Sequence, residues 1–300
     1  MRIAITGATG FLGRYIVRQL SADGRRLRCW YRDDGKRARV PEDVDWQRGT
    51  LEDADARGEL VDGVDAVVHA ALSWPAARGG NDRDDFVEFV ETNLLGSLML
   101  MHAAYQAGVE RFVFISTCAV HDLILDDRPL DEAHPLWPYS HYGAHKAAIE
   151  KFVHSFGLGQ SWCVCSLRPT GIYGLADPPS ASRWYETVER VLRGGPIEST
   201  RGGKEVHAAD VAKAVAVLLD ADPETIRGQA FNCYDIYVSE QRVAEIAREI
   251  ASVDCPIAEV NRGPKNQIET TKLRALGMQF GGETLLRNTI GELVHACRGG

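Results

Sequence analysis

Apolar residues follow two periods along this chain. Short runs rich in branched and aromatic side chains read as strands: Ile3 to Thr6, Leu27 to Tyr31, Val44 to Gln47, Ala66 to Ala70, Phe112 to Ser116 and Trp162 to Leu167. Between them, Phe11 to Ala22, Phe86 to Ala107 and Tyr139 to Phe156 carry apolar residues at helical spacing, with Gly24, Gly108 and Gly157 placed as C-terminal stops. Strands alternating with longer helices predict an α/β fold, a parallel sheet covered by helices.

After Arg168 the texture changes to loops containing Asp177-Pro178-Pro179 and Gly194-Gly195-Pro196. A helix over Ala209 to Leu219 and an apolar run over Ala230 to Cys233 then resemble a return to the first layer. The expected organisation is a doubly wound domain over 1–170 to which 206–233 returns. A smaller α/β domain, built from 171–205 and 234–300, is interleaved with it. No internal repeat or low-complexity tract interrupts this plan.

Charge and cysteine content narrow the function classes. The 42 acidic side chains outnumber the 34 basic ones, for a net charge of -8, and the basic residues are dispersed. Even the densest basic stretch, Arg25 to Arg39, contains Asp33 and Asp34, so nucleic acid is not an expected partner. Seven cysteines without CxxC spacing argue against zinc or any other metal and for a reducing, cytoplasmic setting. Cys163 and Cys165 share a strand face as small buried hydrophobes. Met1 leads straight into an apolar strand with no signal-peptide pattern, and the richest apolar segment, Leu94 to Ala104, is broken by Gly96, Ser97 and His102. Neither export by that route nor membrane insertion is expected.

Gly7, Gly10 and Gly13 lie between the first strand and the first helix. Glycines there permit a tight turn and close approach of a pyrophosphate, whose charge meets free N–H groups and the positive helix end. The plainer reading is tight helix–strand packing, but the strand–turn–helix context favours a dinucleotide. At the end of the second strand a carboxylate commonly binds the adenosine ribose. Here Tyr31 and Arg32 stand in its place, and a guanidinium matches a 2′-phosphate, so the expected cofactor is NADP in preference to NAD. A solvated surface arginine is the alternative.

Tyr142 and Lys146 are four apart on a predicted helix and so share a face. At about 5 Å and an effective dielectric of about 20, an ammonium favours phenolate by roughly 3 kcal/mol, or about two pKa units. That suits a general base. Thr117, just past a predicted strand end, is placed to bond a reacting oxygen, although threonine is also simply a good β-former.

These residues resemble the short-chain dehydrogenase/reductase superfamily, and within its extended class the NAD(P)-dependent epimerase/dehydratase family. The resemblance is carried by Thr6 to Gly13, His69-Ala70-Ala71, Asn93, Ser116-Thr117, Tyr142 to Lys146, Leu167-Arg168-Pro169, Ile172-Tyr173-Gly174, Val206 to Asp210 and Leu273 to Gly277. It implies a Rossmann-type fold with a small substrate domain. It also implies hydride transfer at a carbinol or carbonyl carbon of a sugar or nucleotide sugar, and a homodimer through the helices around Leu94 and Ile149. Tyr142 is implied as acid/base, Lys146 as ribose anchor and Thr117 as orienter. The implied cofactor pocket comprises Gly7, Thr9, Gly10, Phe11, Leu12, Gly13, Tyr31, Arg32, Thr50, Leu51, His69, Ala70, Ala71, Asn93, Ser116, Tyr142, Lys146, Arg168, Pro169 and Thr170. Plainer readings exist for His69, as a satisfied core histidine, and for Asn93, as a helix-interior polar residue.

Three departures bear on reaction type. Thr117 is followed by Cys118 and Ala119, where sugar dehydratases of the family carry an acidic pair, so dehydration is disfavoured. Gly202-Gly203-Lys204-Glu205 lacks the arginine that clamps a pyrophosphate, and Lys204 substitutes only as a point charge. His121-Asp122 replaces a family tyrosine, with His121 read as a surface-loop residue in preference to a substrate contact. Trp74, Arg183 and Trp184 are expected in loops facing the substrate. An NADPH-dependent carbonyl reductase of a non-sugar substrate is the second reading, and a dinucleotide sensor without turnover is the third.

Overall fold

The structure, a computed structural model, describes residues 1–40, 42–73, 83–199, 201–259, 263 and 265–299. Its strands are β1 (Arg2–Thr6), β2 (Arg26–Tyr31), β3 (Asp45–Arg48), β4 (Ala66–His69), β5 (Arg111–Ile115), β6 (Cys163–Pro169), β7 (Gly171–Tyr173), β8 (Gly202–His207), β9 (Ala230–Cys233) and β10 (Ile236–Ser239). The chain divides into two compact units. One holds Met1–Pro169, Val211–Cys233 and Glu269–Met278. The other holds Thr170–Asp210, Tyr234–Ile268 and Gln279–Gly300.

The first unit is the doubly wound parallel sheet that the alternating pattern predicts. Its order is β3-β2-β1-β4-β5-β6-β9, and every neighbouring pair is parallel. The chain winds outward from β1 to β3, then returns to place β4 beside β1, with Thr6 in register with His69. Such a reversal leaves a crevice beyond the carboxyl ends of the two strands, where ligands of open α/β sheets bind. The strands bury both faces, which explains their near-continuous apolar runs. Ala4, Val67, Phe112, Phe114 and Val164 pack against Leu60, Leu100, Met101, Ile149 and Val153.

Two helices depart from regular α geometry. The run predicted over Phe86 to Ala107 divides into an α-helix Arg83–Phe89, a π-turn Val90–Leu95 and an α-helix Gly96–Gln106. The cause is local. Asn93 Nδ2 donates to the Phe89 carbonyl at 3.1 Å, taking the acceptor that a regular helix gives to a backbone N–H. The helix predicted from Tyr139 instead starts at His141, because Ser140 caps it, accepting from the Gly143 N–H at 3.0 Å. It ends in a second π-turn, Ser155–Gly159.

The second unit has a three-stranded sheet, β10-β8-β7, antiparallel between β10 and β8 and parallel between β8 and β7. Its core joins Tyr173 and Val238 from the sheet to Val188, Val191, Val243, Ile246, Leu286, Ile290 and Leu293 from three helices. Among the described residues no helix is long and apolar enough to cross a membrane.

Gly13 is the tightest contact in the first unit's turn. A Cβ there would overlap the Gly7 carbonyl oxygen and lie 2.8 Å from Ala8 Cα. Gly13→Ala is therefore expected to push helix Phe11–Ala22 off β1 and lower stability by about 1–3 kcal/mol, the range for overpacking. Urea unfolding checks this, and an unchanged midpoint would contradict the contact.

Candidate active site

The turn after β1 is shaped by two close approaches. Gly7 has φ +75°, and a Cβ on it would lie 2.7–2.8 Å from the main chain of Ala70 and Ala71. Glycine alone tolerates both conditions. Gly10 is exposed and begins helix Phe11–Ala22 without any side-chain cap, and no acidic residue stands in the first turn. The first N–H groups of that helix therefore face outward, with Thr9, Phe11 and Leu12 partly exposed around them. Uncapped N–H groups, the positive helix end and the side-chain-free turn fit a pyrophosphate. The residues present are those a dinucleotide needs.

Around this turn, several predicted contact residues prove to be framework. The His69 ring is 1% exposed, with Nδ1 on Thr6 Oγ1 at 2.6 Å and Nε2 on Ser97 Oγ at 2.8 Å. Both nitrogens are occupied, so the plainer reading of His69 holds for its side chain. Burial keeps the ring neutral, down to about 3. Asn93 spends its amide on Ser73, accepting from the N–H and donating to the carbonyl at 2.8 Å each, besides its bond to Phe89. It holds the segment that leaves β4. Thr50 and Thr92 bond the Glu52 carboxylate, which they hold below the usual range against burial, and Leu51 is buried against Gly96.

At the end of β2, Tyr31 packs edge-on to Trp46, and the Arg37 guanidinium lies 4.9 Å from its ring centre. Arg32 is exposed and reaches Ser73 Oγ at 3.4 Å. The neighbouring carboxylate of Asp33 is occupied as a cap, accepting from the Gly35 N–H at 2.8 Å and the Lys36 N–H at 3.2 Å.

Beyond β5, Thr117, Tyr142 and Lys146 come together. Thr117 opens a short turn, Cys118–Val120, its Oγ1 accepting from the Ala119 N–H at 3.1 Å. Gly143 lets the following helix press onto that turn, since a Cβ there would lie 2.5 Å from the Ala119 carbonyl oxygen. The Tyr142 hydroxyl consequently shares a hydrogen bond with Thr117. One helical turn on, Lys146 is 4% exposed, donates to the Ile115 carbonyl at 2.7 Å and lies 4.5 Å from the Phe114 ring centre.

The electrostatics differ from the spacing argument. That argument expects Lys146 to lower the phenol, yet burial pushes Tyr142 above its ordinary value, against the Thr117 bond. The ammonium is directed at Ile115 instead. Burial also pulls Lys146 down to about 7, opposed by Glu150.

Two side chains expected at the cofactor are engaged with Glu150, and one further expectation is corrected. Ser116 is buried and donates to Glu150, and Arg168 is 2% exposed and ion-paired to the same carboxylate. Pro169 is buried at the end of β6, and Thr170 begins the second unit. His121 is not a surface residue. It is 5% exposed, its Nδ1 donating to the Pro135 carbonyl at 3.2 Å and its Nε2 accepting from Arg168. Glu150 and Ser97 were not singled out from sequence. For Glu150 the signal was present, as an acidic residue four beyond Lys146.

In the second unit, Arg183 donates to buried Glu205 at 2.6 Å, and Trp184 packs on Tyr173 with ring centres 5.2 Å apart. Trp74 lies outside the described residues. No group of three or more metal-ligating side chains occurs among the described residues, and none of the seven cysteines forms a disulfide.

The fold and this site define an α/β dinucleotide-binding protein with a tyrosine–lysine–threonine set. Residues 3–233 match the NAD dependent epimerase/dehydratase family, and the chain belongs to that family. It is similar to a 3 beta-hydroxysteroid dehydrogenase/Delta 5→4-isomerase of Mycobacterium tuberculosis, 28% identical over 193 residues, 62% of this chain and 51% of that one. It is also similar to a 4-hydroxy-2-methyl-3-oxo-4-farnesyl-3,4-dihydroquinoline-1-oxide ketoreductase of Stigmatella aurantiaca, 34% identical over 233 residues, 74% of this chain and 66% of that one. The matches thus span about half to two thirds of these relatives, among which dTDP-glucose 4,6-dehydratases also occur. Among solved structures, a UDP-glucose 4-epimerase of Thermus thermophilus in complex with NAD superposes with a TM-score of 0.77 at 27% identity, covering 100% of this chain and 99% of that one.

The buried histidines fix the pH response. His69 and His145 are held down to about 3, and His121 and His207 to about 4, mainly by burial. Between those values and 6.5 the unfolded chain binds more protons than the folded one, so stability rises with pH across this window. Glu205, raised to about 7 by burial, and Glu132, also raised by burial, act in the opposite direction above 4.5, while His154, lowered by burial, adds to the four histidines. Thermal unfolding should therefore show a melting temperature that climbs from about pH 4 to about pH 6.5. A flat or falling profile over that range would contradict the neutral histidines.

Proposed function

We propose that the chain is an NAD(P)-dependent oxidoreductase acting at a carbinol or carbonyl carbon of a sugar or nucleotide sugar, as an epimerase or a dehydrogenase/reductase. The observation that carries this reading is the Thr117–Tyr142 hydrogen bond with Lys146 one turn away, beyond the carboxyl end of β5. A nicotinamide bound beside that set supplies the acceptor or donor of hydride. Tyr142 takes up or returns the proton of the reacting oxygen at its hydroxyl. Thr117 Oγ1 orients that oxygen, and Lys146 Nζ, fixed on the Ile115 carbonyl, brings positive charge to the cofactor ribose.

A reductase of a non-sugar ketone is the second reading. Its support is that the ketoreductase is matched over 74% of the chain, against 61% for a UDP-glucose 4-epimerase of Rhizobium meliloti. In both readings elimination is disfavoured. Loss of water needs an acid at the leaving hydroxyl and a base at the adjacent carbon. Cys118 is instead a half-buried thiol, raised to about 12 by desolvation, that donates to the Arg168 carbonyl, and Ala119 has no titratable group. Asp122, the nearest carboxylate along the chain, accepts from the Tyr139 N–H at 2.7 Å.

NADP is the preferred cofactor in this proposal, because Arg32 is exposed at the end of β2 while Asp33 is committed as a cap. Seven cysteines without a disulfide suit the cytoplasm. Homodimerisation is proposed through the helical run 83–106 and helix His141–His154, on the exposed apolar side chains Phe86, Leu95, Met99 and Phe152. Ile149, expected at that surface, is fully buried.

Tyr142→Phe should abolish hydride transfer in stopped flow while cofactor affinity stays within about threefold, since the hydroxyl carries the proton and the ring only packs. Unaltered transfer would remove Tyr142 from the reaction. With sugar nucleotides in deuterated water, an inverted or oxidised alcohol supports the reading, whereas a 4-keto-6-deoxy product carrying deuterium at C5 overturns it. For the cofactor, Arg32→Ala should erode the NADP preference by about tenfold or more in calorimetric titration, as for a charge-assisted hydrogen bond. A wild-type preference for NAD would sink that assignment alone.

A further inference from the structure

One buried ion pair, which takes no part in the chemistry proposed above, joins three segments of the first unit. Glu150, one helical turn beyond Lys146, is 1% exposed, and Arg168 of β6 is 2% exposed. The guanidinium grips the carboxylate through Nε at 3.0 and 3.1 Å and through Nη2 at 2.5 Å. The same two residues hold the segment 116–121 at three points. Ser116 Oγ donates to Glu150 Oε1, and Cys118 Sγ donates to the Arg168 carbonyl at 3.1 Å. Arg168 Nη1 donates to His121 Nε2 at 3.3 Å. Thr117 lies between the first two of these attachments, so its position relative to Tyr142 is set by the pair.

Charge adds a second link. The titratable groups that bear on Lys146 are Glu150 on its own helix, His145 beside it and His69 from β4. Both histidines are neutral near pH 7. Glu150 is thus, among the described residues, the anion that favours the charged lysine.

We propose that Glu150 and Arg168 are positioning residues of the active site: together they clamp the segment that presents Thr117, and Glu150 supplies the counter-charge of Lys146. This rests on the assignment of Thr117, Tyr142 and Lys146 as the reacting set. A buried ion pair adds little net stability compared with an apolar pair of similar volume, whereas a single survivor is strongly destabilising. Positioning, rather than stability, is what the intact pair contributes here.

The test uses the full chain with Glu150→Gln, alone and combined with Arg168→Met. Where Glu150→Gln alone fails to fold, because Arg168 is left without its counter-ion, the double variant buries no lone charge and is the one read. Competitive acetylation of Lys146 across a pH series reports the ammonium midpoint without any substrate. That midpoint is expected to fall by about one unit or more when the carboxylate is lost, from the Coulomb attraction at one-turn spacing. Hydride transfer should fall by about a hundredfold, the scale of a small misplacement, with cofactor affinity within about threefold. A purely structural pair would leave the Lys146 midpoint in place even where thermal stability dropped. An unchanged midpoint overturns the proposal, and so does wild-type hydride transfer in a folded variant. A shifted midpoint in a protein whose wild type transfers no hydride would fault the reaction and leave the clamp standing.

Discussion

The ion pair between Glu150 and Arg168 is the constraint on which the site depends. Its carboxylate comes from the helix that carries Tyr142 and Lys146, and its guanidinium comes from β6. Arg168 also donates to the main chain of Glu132 at 3.3 Å, while Glu132 accepts from the backbone N–H of Asn232 in β9 at 2.8 Å. Helix, segment 116–121 and the last two strands of the sheet are therefore tied to one buried charge pair. Two charges withdrawn from water require nearly complete hydrogen bonding, so each must hold a fixed orientation. Fixed orientation is also what acid–base chemistry requires of its neighbours.

Absence of side chains governs both the glycine turn after β1 and the approach of helix His141–His154 to the Thr117 turn. Gly7, Gly13 and Gly143 each stand where a Cβ would collide with backbone, the first two between β1, its helix and the end of β4, the third between helix His141–His154 and the Thr117 turn. These contacts let parallel strands and helices close to the point where free N–H groups and a shared Thr117–Tyr142 bond are presented. The Thr6–His69–Ser97 hydrogen-bond chain then locks β1, β4 and the helix Gly96–Gln106 behind that surface. Packing and polar satisfaction in this unit act in the same direction, as expected of a sequence with few local conflicts.

Much of the fold was legible because its signals are local. Helix Phe11–Ala22 and strand β9 fall where their apolar periods begin and end, and the glycine turn lies between strand and helix as its spacing requires. The π-turn at Val90–Leu95 was not legible, since it depends on the Asn93 amide competing for the Phe89 carbonyl, an event that periodicity does not encode. In the site, Thr117, Tyr142 and Lys146 could be grouped from spacing and strand ends. The inward roles of Ser116, Arg168 and His121 could not, because each is decided by a partner distant in sequence: Glu150 for Ser116 and Arg168, Arg168 for His121; for His69 the sequence left two readings open, and Thr6 and Ser97 decide between them. The sign of the Tyr142 shift was missed for a related reason. A Coulomb estimate from helix geometry knows the lysine is near but not that it is turned to Ile115, nor how deeply the phenol is buried.

The central claim is that Tyr142 is a half-buried phenol, raised by loss of solvation, whose ionisation is tied to the dinucleotide site. Its titration tests this most directly, followed by ultraviolet difference spectroscopy of the wild type against Tyr142→Phe, with and without oxidised NADP. The account predicts a midpoint above the ordinary tyrosine value of about 10 for the chain alone, falling when the cationic cofactor is bound. A midpoint at or below that value in the chain alone, or one indifferent to the cofactor, would contradict it.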